Sequence, residues 1–176
     1  MKIVAFAGSN STTSINKQLV TYASSLLTDR DVEILDFNDY YIPTYSIDIE
    51  KEEGFSEDIN AFYAKLFEAD VLLVSLAEHN ACITAAFKSY MDWCSRINYK
   101  LLEGKKLVVM STFPGGYAGK NSLEVGSRLL TKLGGTIVTS FSLPKFYENF
   151  SEGKISNEEL NKELIEKMDE FQKNLE

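Results

Sequence analysis

Five short apolar runs recur along the chain, at 2–7, 31–37, 70–76, 105–111 and 136–143. Each is too short for a typical helix, and several are β-branched and apolar at successive positions, the pattern of strands inside a parallel sheet covered on both faces. Longer amphipathic stretches alternate with them and predict helices over 14–27, 56–68, 84–97, 120–133 and 157–175. In the second of these, Ile59, Phe62, Tyr63 and Leu66 recur at helical spacing behind Ser56, an N-cap residue type. In the fourth, Leu123, Val125, Leu129, Leu130 and Leu133 form the stripe expected to be buried, and Gly134-Gly135 stops it. The last carries Leu160, Leu164, Ile165, Met168 and Phe171 on one face, with Asn157, or Ser156 one residue earlier, to cap it.

Strand–helix alternation of this kind predicts an α/β fold, a three-layer sandwich whose five-stranded parallel sheet is wound by right-handed crossovers. The expected strand order is 2-1-3-4-5, in a single domain spanning 1–176. Ligands of such sheets bind beyond the carboxyl ends of the strands, at the switch point between the first and third. The loops after strands one, three and four are therefore where chemistry is expected. The stretch 38–54 is irregular and holds Tyr40, Tyr41, Pro43 and Tyr45, so it is expected to pack rather than to be disordered.

Composition narrows the possibilities. With 18 basic and 26 acidic residues the net charge is −8, and no Lys/Arg cluster stands against it, which argues against nucleic acid and anionic membranes as partners. Cys82 and Cys94 form no metal-ligand spacing, and with one histidine, His79, no metal site is expected. The apolar run at the start is shorter than a secretory core, and no transmembrane-length run follows it, which predicts a reducing, cytoplasmic setting.

After strand one comes Gly8-Ser9-Asn10-Ser11-Thr12-Thr13-Ser14-Ile15-Asn16, hydroxyls and amides between a strand and a helix N-terminus. Unpaired N–H groups and the helix dipole there favour an anion, and a cap needs only one such residue, so the run points to phosphate. Gly8 is read as the sharp turn beside the strand. The loop is not G-x-G-x-x-G, which argues against a dinucleotide Rossmann site, although Asp36 stands about where a ribose acid would be. After strand three, Ala77-Glu78-His79-Asn80-Ala81-Cys82-Ile83 offers small residues and N–H groups to the edge of a flat heterocycle. His79 is either a general base or a solvated loop histidine, and Cys82 is expected to pack. Cys82 and Lys88 mimic the Cys-x5-Arg spacing of tyrosine phosphatases, but lysine cannot make the bidentate fork of arginine. After strand four, Ser111-Thr112-Phe113-Pro114-Gly115-Gly116-Tyr117-Ala118-Gly119-Lys120 lacks the spacing of a Walker loop. Its paired glycines suit either a flexible turn or close backbone approach to a ligand.

Taken together these loops resemble the NADPH-dependent FMN reductase family, the flavodoxin-like quinone, azo and chromate reductases. The family's G-S-x-R-x-x-S-x-N-x-x-L motif is matched by Gly8, Ser9, Ser14, Asn16 and Leu19, with Ser11 in place of the arginine. Its P-E-Y-N-x-S-x-P-G-x-L-K-N-x-x-D-W segment is matched by Glu78, Asn80, Lys88, Asp92 and Trp93, with Ala77 and His79 among the departures. Its L-P-x-Y-N-x-D segment resembles Ile42-Pro43-Thr44-Tyr45-Ser46-Ile47-Asp48, and its glycines after strand four correspond to Gly115 and Gly116. The resemblance, over about 2–140, implies FMN as cofactor with NADPH or NADH as co-substrate. It implies ping-pong hydride transfer through flavin N5 to a quinone, free flavin or similar small-molecule acceptor. Phosphate contacts would fall on Ser9, Ser11, Ser14, Ile15 and Asn16. The ring would meet Ala77, Glu78, His79, Asn80, Ser111, Pro114, Gly115 and Gly116. Flavin carries the reaction, so no catalytic acid or base is expected, and His79 enters as a modulator. Tyr45, Phe113 and Tyr117 are candidates to wall the pocket or to pack in the core. A homodimer or homotetramer is implied, with Tyr90 and Trp93 as interface or core aromatics. The alternative is a flavodoxin-like electron carrier or non-catalytic flavin module. A phosphate-accepting receiver domain is set aside because no aspartate follows strand three.

Overall fold

The computed structural model describes residues 1–175. Its main sheet holds β1 (Ile3–Ala7), β2 (Val32–Leu35), β3 (Val71–Leu76), β6 (Lys106–Thr112) and β7 (Thr136–Leu143). All neighbours pair parallel in the order β2-β1-β3-β6-β7, which is 2-1-3-4-5 counted along the sheet's own strands. Helices α1 (Ile15–Ser25), α3 (Glu57–Glu68), α4 (Ala85–Ile97), α5 (Lys120–Lys132) and α7 (Glu158–Lys173) cover it. The expected helices thus form within a residue or two of their predicted ends. The side chains of Ser56 and Asn157 accept N–H bonds as N-caps of α3 and α7.

The two-residue period of each strand sorts its side chains into two cores. Val4, Phe6, Leu72, Val74, Leu107 and Val109 face α3, α4 and α5, while Ile3, Ala5, Leu73, Val108 and Met110 face α1 and α7. Fixed in this way, the strands' carboxyl ends lie side by side and the loops leaving them converge. Among the described residues no helix is long and apolar enough to cross a membrane.

Two expectations change. The face that α5 buries most deeply is Ser122, Gly126 and Leu130, whereas Leu123, Val125 and Leu129 are only partly buried. The reason is distance: a Cβ on Gly126 would lie 2.3 Å from Leu76 Cδ1, so a small residue lets the helix sit directly on the sheet. The stretch 38–54 packs as expected, but it is not irregular throughout. It contains a short 3-10 turn, Phe37–Asp39, and α2 (Ile47–Glu53), each held by a side-chain cap.

Buried aromatics on α4 hold this stretch down. Tyr90 stacks on Phe37 with ring centroids 3.9 Å apart, and its hydroxyl donates to the carbonyls of Phe37 and Tyr40. Burial pushes the Tyr90 phenol well above its ordinary range. Trp93 Nε1 and Ser89 Oγ both donate to the carbonyl of Pro43. Tyr90 and Trp93 are therefore core residues of this chain, 4% and 0% exposed. Five further elements have no counterpart in the apolar pattern. They are the hairpin strands β4 (Glu78–His79) and β5 (Cys82–Ile83), the single-turn α6 (Phe146–Asn149), and the hairpin β8 (Phe150–Ser151) with β9 (Lys154–Ile155).

Candidate functional site

The convergent loops enclose a cavity of about 290 Å³ at the carboxyl ends of β1, β3 and β6, where the strand order reverses. Ser9, Ser11, Thr13, Ser14, Ile15 and Asn16 line one side, Ala77, Glu78 and His79 another, and Thr112, Phe113, Pro114 and Tyr147 the third. Nine of the residues singled out in the sequence are brought together here. Asn80, Ser111, Gly115 and Gly116 are not in this lining. Phe113 is part of the wall. Tyr117 is exposed outside it, and Tyr45 packs edge-on against Trp93 and donates to Glu50.

The first loop is built to leave amides free. Ser9 Oγ accepts from the N–H of Ser11, and Ser11 Oγ from that of Thr13, which curls the chain. Ser14 is the N-cap of α1 and accepts from the N–H of Lys17. With that cap made, the N–H groups of Ile15 and Asn16 at the open end of α1 are left for an outside acceptor. Gly8 has another role than the sharp turn expected of it. Its φ is not positive, but a Cβ there would lie 3.1 Å from the Phe87 ring, so glycine admits α4 beneath the loop.

Asn16 is the keystone of the cavity floor. Its side chain is 2% exposed. Its Oδ1 accepts from Ser75 Oγ at 2.8 Å and from the N–H of Thr112 at 3.0 Å, and its Nδ2 donates to the carbonyl of Thr112 at 3.2 Å. The amide therefore ties α1 to the ends of β3 and β6, and it faces inward rather than toward a ligand. Ser111 does similar work from below: it is fully buried, and its hydroxyl donates to the carbonyl of Ala118.

Glu78 brings an acid into the lining, yet its carboxylate is turned aside. It accepts from the N–H of Ser122 at 3.0 Å and from Asn121 Nδ2 at 3.2 Å. The N-cap position of α5 is Gly119, which has no side chain to offer, so Glu78 caps that helix from the neighbouring loop. No lysine or arginine lines the cavity. An anion entering it meets hydroxyls and amides, and the one carboxylate present is engaged elsewhere.

The loop after β3 folds back as the β4–β5 hairpin, with His79 opposite Cys82. Asn80 and Ala81 at its tip have φ of 50° and 58°, the left-handed pair that a two-residue hairpin turn demands. Alanine is strained there, so Ala81→Gly is expected to stabilise the protein by about 0.5–1 kcal/mol. A rise in the urea unfolding midpoint checks it, and an unchanged or lower midpoint counts against it. Cys82 is exposed on this hairpin instead of packed, while Cys94 is buried and its thiol is pushed up to about 12 by burial. Ellman titration is expected to find one reactive thiol in the native protein and two after denaturation; two in the native state would contradict this burial.

Parallel order, crossovers and a cavity at the switch point define a flavodoxin-like α/β protein. Residues 1–148 match the family model described as NADPH-dependent FMN reductase, and the chain belongs to that family. Quinone reductase of Escherichia coli (strain K12) is 30% identical over 78 residues, which are 44% of this chain and 42% of that protein. NADPH:quinone oxidoreductase of Arabidopsis thaliana is 28% identical over 69% of this chain and 62% of its own length. Among solved structures, FerB of Paracoccus denitrificans, a flavoenzyme NAD(P)H:(acceptor) oxidoreductase, has the same fold at a TM-score of 0.79 and 23% identity, over 98% of this chain and 96% of its own.

Proposed function

We propose that the chain is a single FMN-binding domain that transfers hydride from NADPH or NADH to a small-molecule acceptor, a quinone or free flavin. The observation that carries this reading is the first loop, whose hydroxyls and open helix amides face a cavity at the switch point without a competing free carboxylate. In this reading Ser9, Ser11 and Ser14, with the N–H groups of Ile15 and Asn16, hold the flavin phosphate. Ala77 gives the ring room, and the backbone of Glu78, His79 and Asn80 meets its edge. Pro114, Gly115 and Gly116 close the far side. Asn16 and Ser111 act from beneath by fixing the loops. FMN, when bound, supplies hydride exchange at ring nitrogen N5, so the protein's tasks are binding, orientation and exclusion of water. His79, exposed at the mouth, modulates access and polarity there.

The nicotinamide and the acceptor use one opening in turn, a ping-pong order. A reducing cytoplasmic setting is supported by two cysteines that are both free. Assembly as a homodimer or homotetramer is supported by the exposure of Tyr41 and Ile47 on the otherwise pinned 38–54 stretch. Light scattering reads that assembly directly.

The test is to titrate the apo-protein with FMN and then follow NADPH and NADH oxidation under argon with a benzoquinone as acceptor. Stoichiometric binding, turnover and parallel double-reciprocal plots are expected. Tight FMN binding without nicotinamide oxidation would overturn the enzyme reading and leave a carrier. No FMN binding would overturn the reading entirely.

A further inference from the structure

A second cavity, of about 310 Å³, adjoins the first. The two share Thr13 and Ser14. From there the second runs along the outside of α1, past Lys17, Gln18 and Thr21, to the β8–β9 hairpin, where Phe150 and Gly153 bound it. Its chemistry differs from that of its neighbour. The first cavity has no lysine or arginine in its lining, whereas the second has Lys17. Thr12, Gln18 and Thr21 present exposed hydroxyl and amide groups, and the edge of the mostly buried Phe150 gives an apolar end.

We propose that this groove is an adenylate subsite, so that the chain accepts FAD as well as FMN. The proposal rests on the flavin reading above. The residues the cavities share belong to the phosphate loop and not to the segment that meets the ring, so a group continuing from the flavin phosphate enters the groove directly. A flavin dinucleotide continues with a second phosphate, a ribose and an adenine. A lysine, a row of hydroxyls and an apolar end match those three in kind. Lys17 is paired with Asp36. The Asp36 carboxylate also accepts from the N–H and the side-chain amide of Asn38, at 3.0 and 2.8 Å. It therefore keeps two donors when Lys17 turns to a phosphate, and the switch leaves no carboxylate stranded.

Calorimetric titration of the apo-protein with FMN and with FAD tests this, using Thr21→Trp to fill the groove from an exposed helix position. The unmodified chain is expected to bind FAD within about tenfold of FMN. Thr21→Trp is expected to weaken FAD by about 30-fold and FMN by less than about twofold. Lys17→Gln is expected to weaken FAD by about fivefold more than FMN, a difference that shrinks at high salt. FMN binding with FAD weaker by about 100-fold or more overturns the proposal and leaves the FMN site intact. A Thr21→Trp effect confined to the KM for NADPH or NADH, with FAD binding unaltered, assigns the groove to the nicotinamide nucleotide and overturns it too. Failure of the unmodified chain to bind FMN is the separate failure of the reading beneath it.

Discussion

Asn16→Ala is expected to destabilise the protein by about 3 kcal/mol and to lower its thermal midpoint by about 6–12 °C. The substitution removes one side chain and orphans three buried partners: Ser75 Oγ, the N–H of Thr112 and the carbonyl of Thr112. Each loses a partner where little or no water can replace it, at about 1–3 kcal/mol apiece, and the methylene-sized void adds little. Binding is expected to suffer as well, because the same amide holds the phosphate loop against the end of β6. Asn16→Asp separates the two effects. A carboxylate can still accept from Ser75 and Thr112, but it cannot donate to the Thr112 carbonyl and it adds charge beneath the anion site. It should fold at least as well as Asn16→Ala and bind FMN worse. Calorimetric unfolding of both variants, with FMN titrations alongside, checks the pair. A thermal midpoint for Asn16→Ala within 2 °C of the unmodified chain would show that the amide clamp is not what holds the loops (about 1 kcal/mol or less).

That clamp also marks where the sequence stopped being readable. Strands such as β1 and β3 were legible because burial on both faces selects unbroken β-branched and aliphatic runs, and Ser56 and Asn157 because capping is local. The phosphate loop was legible as an excess of hydroxyls over what one cap requires. The direction of Asn16 was not: its partners lie 59 and 96 residues away, and no local pattern separates an inward amide from an outward one. Glu78 posed the same difficulty, since its task is set by Gly119 failing to cap α5 from its own side chain. Tyr147 carries no local signal because α6 is a single turn placed by tertiary bonds, the N–H of Lys145 to the carbonyl of Gly115 and that of Phe146 to the carbonyl of Phe113. The β4–β5 and β8–β9 hairpins are too short for any two-residue period to register.

The second large effect concerns the position where the family's arginine is absent. Ser11→Arg is expected to tighten FMN binding by about tenfold at low ionic strength, and Ser11→Asp to weaken it by about 100-fold. Ser11 is exposed and lines the cavity, so a charge placed there acts on a phosphate across partly solvated space, where an effective dielectric near 20 gives a few kcal/mol before screening. Salt reduces that to about 1–3 kcal/mol. Arginine is worth less than aspartate costs, because arginine also removes the Oγ that accepts from the N–H of Thr13, a bond of about 1 kcal/mol that shapes the loop, whereas an aspartate carboxylate can accept in its place. The two effects therefore offset in Ser11→Arg, whereas in Ser11→Asp the charge acts unopposed. Quenching of flavin fluorescence, titrated at two salt concentrations, distinguishes charge from shape: the arginine gain should vanish at high salt while the aspartate loss falls only partway. Equal, salt-independent losses from both variants would mean that Ser11 serves the loop's geometry alone and that the phosphate lies out of its reach.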